Sequence, residues 1–398
     1  MRGDKKVILH LVIDGVFFDS ISSQFDKLDG YENIYLYLYF KNVKELTYIK
    51  QKEKVIIAKD IDEWGKIIND PCIDIVYLHG LWEVSMYAAK YIRKEVIVMW
   101  WCYGREIYEN CWDRAPLLPL KLYKPKTFRF MEKYWKKEHV WISKNIEYFL
   151  PKVYNIIKKF RGSKEFEIYL KEMLSRIDYL FTPLPLEYEL LKEQCKYLRA
   201  KPYRVTNFSS EKDPIVLHEH TGNILFDHSA YATNNHLDLF NSLKDIDLTS
   251  RNMYIPMSYG EDQVKSMLKE HQNFNNSNTI FLEESIPGQE YKALIRSCSH
   301  AIFGATRQTA LGNINLCIKS GVKVFLYSDS LLYKHCKRLG YKVYNLEKDL
   351  TQKELDTTLT KDEIIKNHSL FYKSREILKY KNYQQQIDEI YLENHTDD

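Results

Sequence analysis

Two stretches in the second half of the chain place anion-binding residue types directly after short apolar runs. The first, Asp227-His228-Ser229-Ala230-Tyr231-Ala232-Thr233-Asn234-Asn235-His236, follows Ile224–Phe226 and leads into the apolar periodicity of His236–Leu243. The second, Thr306-Arg307-Gln308-Thr309-Ala310-Leu311-Gly312-Asn313, lies between Ala301–Gly304 and Ile314–Ile318. A helix start offers unbonded N–H groups and a partial positive charge, which together suit a phosphate. Ser229, Thr233 and Asn234 add donors, and the Arg307 guanidinium matches a diphosphate with two parallel bonds. Plainer readings stand beside these: Thr233 or Asn234 as an ordinary helix cap, and Arg307 as a solvated charge. Between the two stretches, Pro256-Met257-Ser258-Tyr259-Gly260 ends another strand-like run. Tyr259 suits stacking on a base or sugar, or is a partly exposed turn aromatic.

The first half supplies acids and a histidine instead. His79-Gly80 ends the apolar run Ile73–Leu78, Asp14 and Asp19 follow Val7–Ile13, and Glu106 and Glu109 flank Tyr108 after Gly104. Transfer of a group from a diphosphate to a hydroxyl uses a base within hydrogen-bond reach of that hydroxyl. It also needs positive charge or N–H groups on the departing diphosphate. Asp14, His79 and Glu106 are the candidate bases, each also compatible with a role as a loop cap or surface charge. Asp60-Ile61-Asp62 and Asp245-Ile246-Asp247 have the spacing of a metal-binding acid pair. Neither falls at a strand end, so no metal and no resident cofactor are expected.

These residues need elements to hold them. The chain has 398 residues, 45% hydrophobic and 28% charged, which predicts a soluble globular protein of two or three domains. No apolar run approaches the ~20 residues of a membrane span. Val7–Ile13 is broken by His10 and has no small-residue cleavage site after it, so no signal peptide is expected. The seven cysteines are scattered and form no C-x-x-C pair, consistent with reduced thiols in a cytoplasm.

Apolar runs alternate with amphipathic stretches. Val7–Ile13, Ile34–Phe40, Lys54–Ala58, Ile73–Leu78, Val96–Trp101, Ile177–Thr182 and Tyr203–Phe208 read as strands of one cycle. Ile224–Phe226, Asn252–Met257, Thr279–Leu282, Ala301–Gly304 and Val322–Leu326 read as a second. Strands separated by helices predict parallel sheets, with ligands beyond the carboxyl ends of the strands. The fold class expected is α/β, two Rossmann-like domains facing a central cleft. The first domain would span 1–210 with a helical insertion at 112–176, the second 211–365, with a linker near Ser209–Gly222. A helical tail, 366–398, would pack back on the first domain. Glycosyltransferases of the GT-B type, sugar-nucleotide epimerases and periplasmic binding proteins share this plan, which does not choose among them.

Lys121–Val140 interleaves seven cations with aromatics against two acids. Lys124, Lys126, Arg129, Lys133 and Trp135 are the candidate contacts to an acceptor or an anionic membrane surface. RNA binding would use similar residues, and a solvated helical face would use them for neither purpose. A net charge of +4 is too mild to imply nucleic acid, and none is expected as a partner.

The motifs together resemble the TDP-N-acetylfucosamine:lipid II N-acetylfucosaminyltransferases of enterobacterial common antigen assembly. The similarity runs from about Ile224 to Cys336, through Pro256–Gly260, Tyr291-Lys292-Ala293-Leu294-Ile295-Arg296-Ser297-Cys298 and Arg307–Gly312. Three islands extend it into the first half: Val7–His10, His79-Gly80 and Trp100-Trp101-Cys102-Tyr103-Gly104-Arg105-Glu106-Ile107-Tyr108-Glu109. The chain departs from the family at Phe17, Phe18 and Asp19, where the family carries histidines, and at Glu106, where the family has Asp. The resemblance implies a metal-independent GT-B hexosyltransferase of bacterial surface polysaccharide synthesis. It would use a nucleotide-sugar donor and a lipid-linked glycan acceptor, at the cytoplasmic face of the plasma membrane. His228, Ser229, Asn234, Tyr259, Arg307, Gln308 and Gly312 become donor-site residues, and Gly104–Glu109 with His79 become acceptor or catalytic residues. A sugar-nucleotide epimerase or a non-catalytic nucleotide-sugar-binding module would fit the same architecture.

Overall fold

The computed structural model describes residues 5–15, 17–39, 46–109, 116–150, 153–154, 157, 164–205, 222–249 and 251–395, and of residues 164–166 the backbone alone. The chain divides into two compact units. One comprises Met1–Pro119, Asn155–Ser209 and Lys379–Asp398, the other Leu120–Tyr154 and Ser210–Leu378.

The first unit is built on seven parallel strands: β1 (Lys6–Val12), β2 (Tyr31–Tyr37), β3 (Val55–Ile56), β4 (Ile73–His79), β5 (Ile97–Trp101), β6 (Tyr179–Phe181) and β7 (Lys201–Pro202). Their order is β3-β2-β1-β4-β5-β6-β7. The central strands are continuous apolar runs because parallel sheets are covered on both faces. The order reverses between β1 and β4, where Ile8 pairs with Ile75 and His10 with Tyr77.

The second unit repeats the plan with β8 (Ile224–Phe226), β9 (Asn252–Pro256), β10 (Asn278–Leu282), β11 (His300–Phe303), β12 (Lys323–Leu326) and β13 (Tyr344–Asn345). The order is β10-β9-β8-β11-β12-β13, again all parallel, and it reverses between β8 and β11. The two cycles expected from the sequence are thus two doubly wound sheets. The seventh strand is Lys201–Pro202; residues 206–208 of the expected strand Tyr203–Phe208 and most of the expected linker lie outside the described residues. The two-residue strand β13 has too little sequence to announce itself.

The unit boundaries differ from those expected. The 112–176 segment is not one insertion of the first domain: Leu120–Tyr154 belongs to the second unit and the helix Lys164–Arg176 to the first. The reason is the apolar face Phe128, Met131 and Trp135 of the helix Pro125–Lys137, which joins the second unit's core with Phe226, Leu239 and Phe240. Asp238 receives the backbone N–H groups of Lys126 and Thr127 at 2.9 and 2.8 Å, capping that helix from another element. Pro125 stands at its first turn, where a missing N–H costs nothing. The 366–398 tail divides too. The helix Lys361–Ile377, opened by a Thr360–Glu363 capping box, stays with the second unit. The helix Tyr383–His395 buries Tyr383, Ile387 and Ile390 among Ile8, Phe25 and Tyr77 of the first. Tyr31 Oη donates to Asp388 at 2.9 Å, fixing its angle on the sheet.

Candidate functional site

In the second unit the strand ends around the β8/β11 reversal carry a connected set of polar groups. β8 stops at Asp227, which adopts φ +61°, a left-handed conformation that Asp tolerates better than most residues. That turn aims the buried Asp227 carboxylate along the sheet edge. Oδ2 accepts the Gly304 N–H at 2.9 Å, tying the end of β8 to the end of β11. Oδ1 accepts the His228 backbone N–H at 2.8 Å and His228 Nδ1–H at 2.6 Å. With Nδ1 carrying the proton, Nε2 accepts from the hydroxyls of Ser229 (3.2 Å) and Thr309 (3.0 Å). Two loops distant in sequence therefore converge on one imidazole.

Asn234 donates through Nδ2 to the Ser229 carbonyl (2.8 Å) and hydroxyl (3.0 Å), holding the His228 loop closed. Asn235, at φ +56°, donates through Nδ2 to the Leu122, Thr233 and Gly304 carbonyls and accepts from Lys124 N–H. The loop after β9 is zipped to this one: Ala230 N–H donates to the Tyr259 carbonyl and Glu261 N–H to the Ala230 carbonyl, at 3.0 and 2.8 Å. Gly260 sits between them at φ +133°, and a Cβ there would lie 2.3 Å from the Ala230 oxygen.

A pocket opens beside His228. Its walls are Pro256, which ends β9, with Ser258 and Tyr259 beyond it, Leu282, which ends β10, with Glu284, Ser285 and Ile286 beyond it, and Tyr291 and Asn313. Asn313 Nδ2 donates to Tyr291 Oη at 3.0 Å, joining the helices Gly288–Ser297 and Leu311–Lys319 on one wall. Tyr259 is 51% exposed, leaving its ring face accessible. Of the donor residues expected from the sequence, His228 and Tyr259 line this pocket. Ser229 and Asn234 are buried and shape the loop behind it. Arg307 and Gln308 lie in the loop that Thr309 joins to His228, outside the lining. Gly312 is exposed in the first turn of the helix Leu311–Lys319, and no atom stands within 4 Å of a Cβ built there. Asp227 and Asn313 stand at the ends of the two anion-binding stretches without a role of their own there, and Glu284 and Ser285 lie outside them. An acid ending a strand immediately before a histidine is the signal that would have found Asp227.

In the first unit the β1/β4 reversal is spanned by histidines. Asn33 Nδ2 donates to the Phe25 carbonyl at 2.9 Å, which turns its Oδ1 toward His10. His10 Nε2–H donates to that oxygen at 3.0 Å, so His10 Nδ1 accepts from His79 Nε2–H, also at 3.0 Å. His79 Nδ1 is left as an acceptor, with the Tyr103 hydroxyl 3.4 Å away. Burial holds His10 down to about 4 and His79 well below its ordinary value, so both rings are neutral at physiological pH. The series Tyr103–His79–His10–Asn33 has one direction of hydrogen-bond donation along its length. Phe17, exposed, stacks 6.0 Å from the Tyr103 ring.

The other two candidate bases have structural duties. Asp14 accepts from the backbone N–H groups of Thr47 (2.7 Å), Tyr48 (2.9 Å) and Ile49 (3.0 Å), pinning that loop. Glu106 is 0% exposed, and its Oε1 accepts Tyr103 N–H at 2.8 Å. Neither carboxylate is presented to an incoming hydroxyl in this geometry, because backbone donors claim the first and burial encloses the second. Burial raises the pKa of Glu106 and carries its buried neighbour Glu187 to about 7. Glu187 accepts Leu184 N–H at 2.7 Å and the Tyr108 hydroxyl.

Asp60 caps the helix Ile61–Ile68, and Asp247 binds its own turn at Thr249, so both D-x-D pairs have local partners. Among the described residues no three His, Cys, Asp or Glu side chains group as a metal site. Lys126, Arg129 and Lys133 are exposed. Lys124 instead pairs with Asp329 at 3.0 Å and Trp135 is 4% exposed, so these two face inward rather than toward a partner.

Two doubly wound parallel domains, the second with a pocket at its strand ends, are the architecture of GT-B glycosyltransferases. An E. coli structure described as trehalose-6-phosphate bound with UDP-2-fluoro glucose matches 98% of this chain and 99% of its own, with TM-score 0.57 and 10% identity. Anabaena HepE, solved with UDP and glucose, matches over 97% of this chain and 99% of its own, with TM-score 0.57 and 11% identity. At such identities the likeness shows the fold. Residues 191–385 match the model of glycosyl transferase group 56, the 4-alpha-L-fucosyltransferases. Family match and fold together support a glycosyltransferase of GT-B fold, with residues 191–385 similar to the group 56 fucosyltransferases. A search of curated proteins found no match. No described helix is long and apolar enough to cross a membrane.

Proposed function

We propose that this enzyme moves a deoxy-acetamido sugar of the fucosamine type from a TDP- or UDP-sugar to a lipid-linked glycan, without a metal, at the cytoplasmic face of a membrane. The observation that carries the donor half is the His228 pocket. It offers an accessible aromatic face at Tyr259, hydroxyls at Ser258 and Ser285, and a carboxylate at Glu284 for a nucleoside. The N-terminus of the helix Leu311–Lys319, with Arg307 in the preceding loop, suits the diphosphate. That two structures of the same fold were solved with UDP or a UDP-sugar supports a pyrimidine nucleotide donor.

Transfer breaks the bond between the anomeric carbon and the diphosphate oxygen and forms one to the acceptor oxygen. The departing diphosphate keeps the electron pair, and the hydroxyl proton must leave. Of the three candidate bases, His79 has a ring nitrogen still able to accept, facing the Tyr103 hydroxyl. We assign the base role to His79, acting through Tyr103.

Thermal shift against TDP, UDP, GDP, CDP and ADP tests the donor half. A rise in melting temperature with TDP or UDP alone is expected, and no rise with any of them rejects the pocket assignment. His79→Gln should lower kcat by ~10²–10⁴, with Tyr103→Phe falling in the same direction. Unchanged turnover in both removes them from the mechanism.

A further inference from the structure

The second unit carries two consecutive helices whose outer faces differ in kind. On the helix Pro125–Lys137 the exposed cations are Lys126, Arg129, Lys133, Lys136 and Lys137. At helical periodicity these fall within an arc of about 100° that contains no acid. The opposite face, with Phe128, Met131 and Trp135, is buried. The helix Trp141–Phe149 follows after a three-residue turn and buries no residue fully. It leans on its neighbour through Tyr148, stacked 4.0 Å from Phe128, and through Trp141, whose Nε1–H donates to Glu132 at 3.1 Å. That contact fixes which side faces out: Ile142 is 66% exposed, Phe149 63% and Leu150, just beyond the helix, 55%. Large apolar side chains on one stripe of an exposed helix are a poor match to water, and an acid-free cationic face beside them is a poor match to a neutral partner.

We propose that this helix pair docks on an anionic lipid surface. Ile142, Phe149 and Leu150 enter the headgroup–acyl boundary, and the cations of the preceding helix pair with lipid phosphates. The lipid is favoured over other anionic partners because the apolar side chains are aliphatic and phenyl groups on a helix, suited to acyl chains. A single-stranded nucleic acid would engage flat aromatic platforms interleaved with the cations, whereas here Trp135 and Phe128 are buried. The element is displaced from the one expected from sequence: Lys124 and Trp135 drop out, and the helix Trp141–Phe149 supplies the inserting groups. The proposal gives the lipid-linked acceptor reading a purpose for the surface, and to that extent rests on it.

The test is flotation of the full chain with phosphatidylcholine vesicles, with and without phosphatidylglycerol, at low and high salt. Binding to the phosphatidylglycerol vesicles alone is expected. The double variant Ile142→Glu/Phe149→Glu should weaken it at least about tenfold at both salt concentrations. Arg129→Glu/Lys133→Glu should weaken it more than about tenfold at low salt and less at high salt. All four positions are exposed, and an unchanged melting temperature confirms each variant folded. Nucleotide-induced thermal shift, measured on the same variants, should be unaffected. Loss of that shift in a protein that still floats would reject the donor assignment and leave the docking surface standing. No binding to either vesicle, binding indifferent to both double variants, or tighter binding to single-stranded RNA that survives Ile142→Glu/Phe149→Glu would overturn the proposal.

Discussion

Asp227 holds His228 by two bonds from a single oxygen, one to the backbone N–H and one to Nδ1–H at 2.6 Å, while its other oxygen takes the Gly304 N–H. One carboxylate thus sets the tautomer of the imidazole and locks the two strands between which the sheet order reverses. In the first unit the same position is bridged by His10 and His79. In both sheets the reversal leaves a crevice where strand ends splay apart, and in both a buried side-chain bond spans it.

Because Asp227 holds both the imidazole and the Gly304 N–H, His228→Ala and Asp227→Asn have distinguishable effects. His228→Ala removes a pocket wall and should cut kcat/KM for the sugar nucleotide by about ten- to a hundredfold with a small change in melting temperature. Asp227→Asn turns acceptors into a donor against Gly304 N–H or His228, and should also destabilise the unit by about 1–3 kcal/mol. Steady-state kinetics and urea melts on the two variants separate the effects. Equal loss of stability in both would mean His228 serves packing alone.

His236 is 1% exposed, and neither ring nitrogen has a hydrogen-bond partner. Burial holds its pKa down to about 4, as it does for His10 and His300. A folded-state pKa below the unfolded value of 6.5 means the unfolded chain binds more protons between about 4 and 6.5, so stability falls as pH drops through that window. His236→Phe removes one titrating group and one unsatisfied polar ring. The variant should lose less stability than wild type between about pH 7 and about pH 5. Urea melts at the two pH values decide it; an undiminished acid slope would show that His236 is not a neutral buried ring.

Glu187 works in the opposite direction. Burial raises it to about 7, above the 4.5 of a free glutamate. The folded state therefore holds a proton that the unfolded state has lost between those values, and this contribution declines as pH rises through the window. Glu187→Gln should lessen that decline and leave the protein at least as stable near neutral pH. A variant clearly less stable at neutral pH would show that the ionised form is the one the fold requires.

Gly260→Ala should be among the costlier single-methyl changes in the chain. The backbone is at φ +133° and the added carbon would meet the Ala230 carbonyl at 2.3 Å. Forcing apart the zipped loops after β8 and β9 should cost about 2 kcal/mol or more and abolish nucleotide-induced thermal shift. Wild-type melting and nucleotide binding in this variant would contradict the close approach.

Much of this was readable in the chain. Val7–Ile13, Ile73–Leu78 and Val96–Trp101 announce buried parallel strands because sheets covered on both faces admit almost nothing but apolar side chains. His79 at one strand end and His228 after another were found by the same logic. Short strands such as Tyr344–Asn345 were not, since two residues carry no periodicity. Asp14, Glu106 and His79 stand as equal candidate bases in the sequence, which does not display the N–H groups of Thr47, Tyr48 and Ile49 on Asp14 or the burial around Glu106.

The two doubly wound sheets and their strand ends were legible in the chain because periodicity and turn chemistry are local properties, and the glycosyltransferase class came from the family resemblance of its motifs. Only the tertiary structure decided which unit owns the helix Pro125–Lys137, and therefore that Trp135 is core while Ile142 and Phe149 face outward. It alone paired Asn33, His10, His79 and Tyr103, and brought Thr309 to His228, residues separated by as many as 81 positions. Those contacts follow from which apolar faces bury together, a choice made by the whole core and encoded at no single stretch of chain.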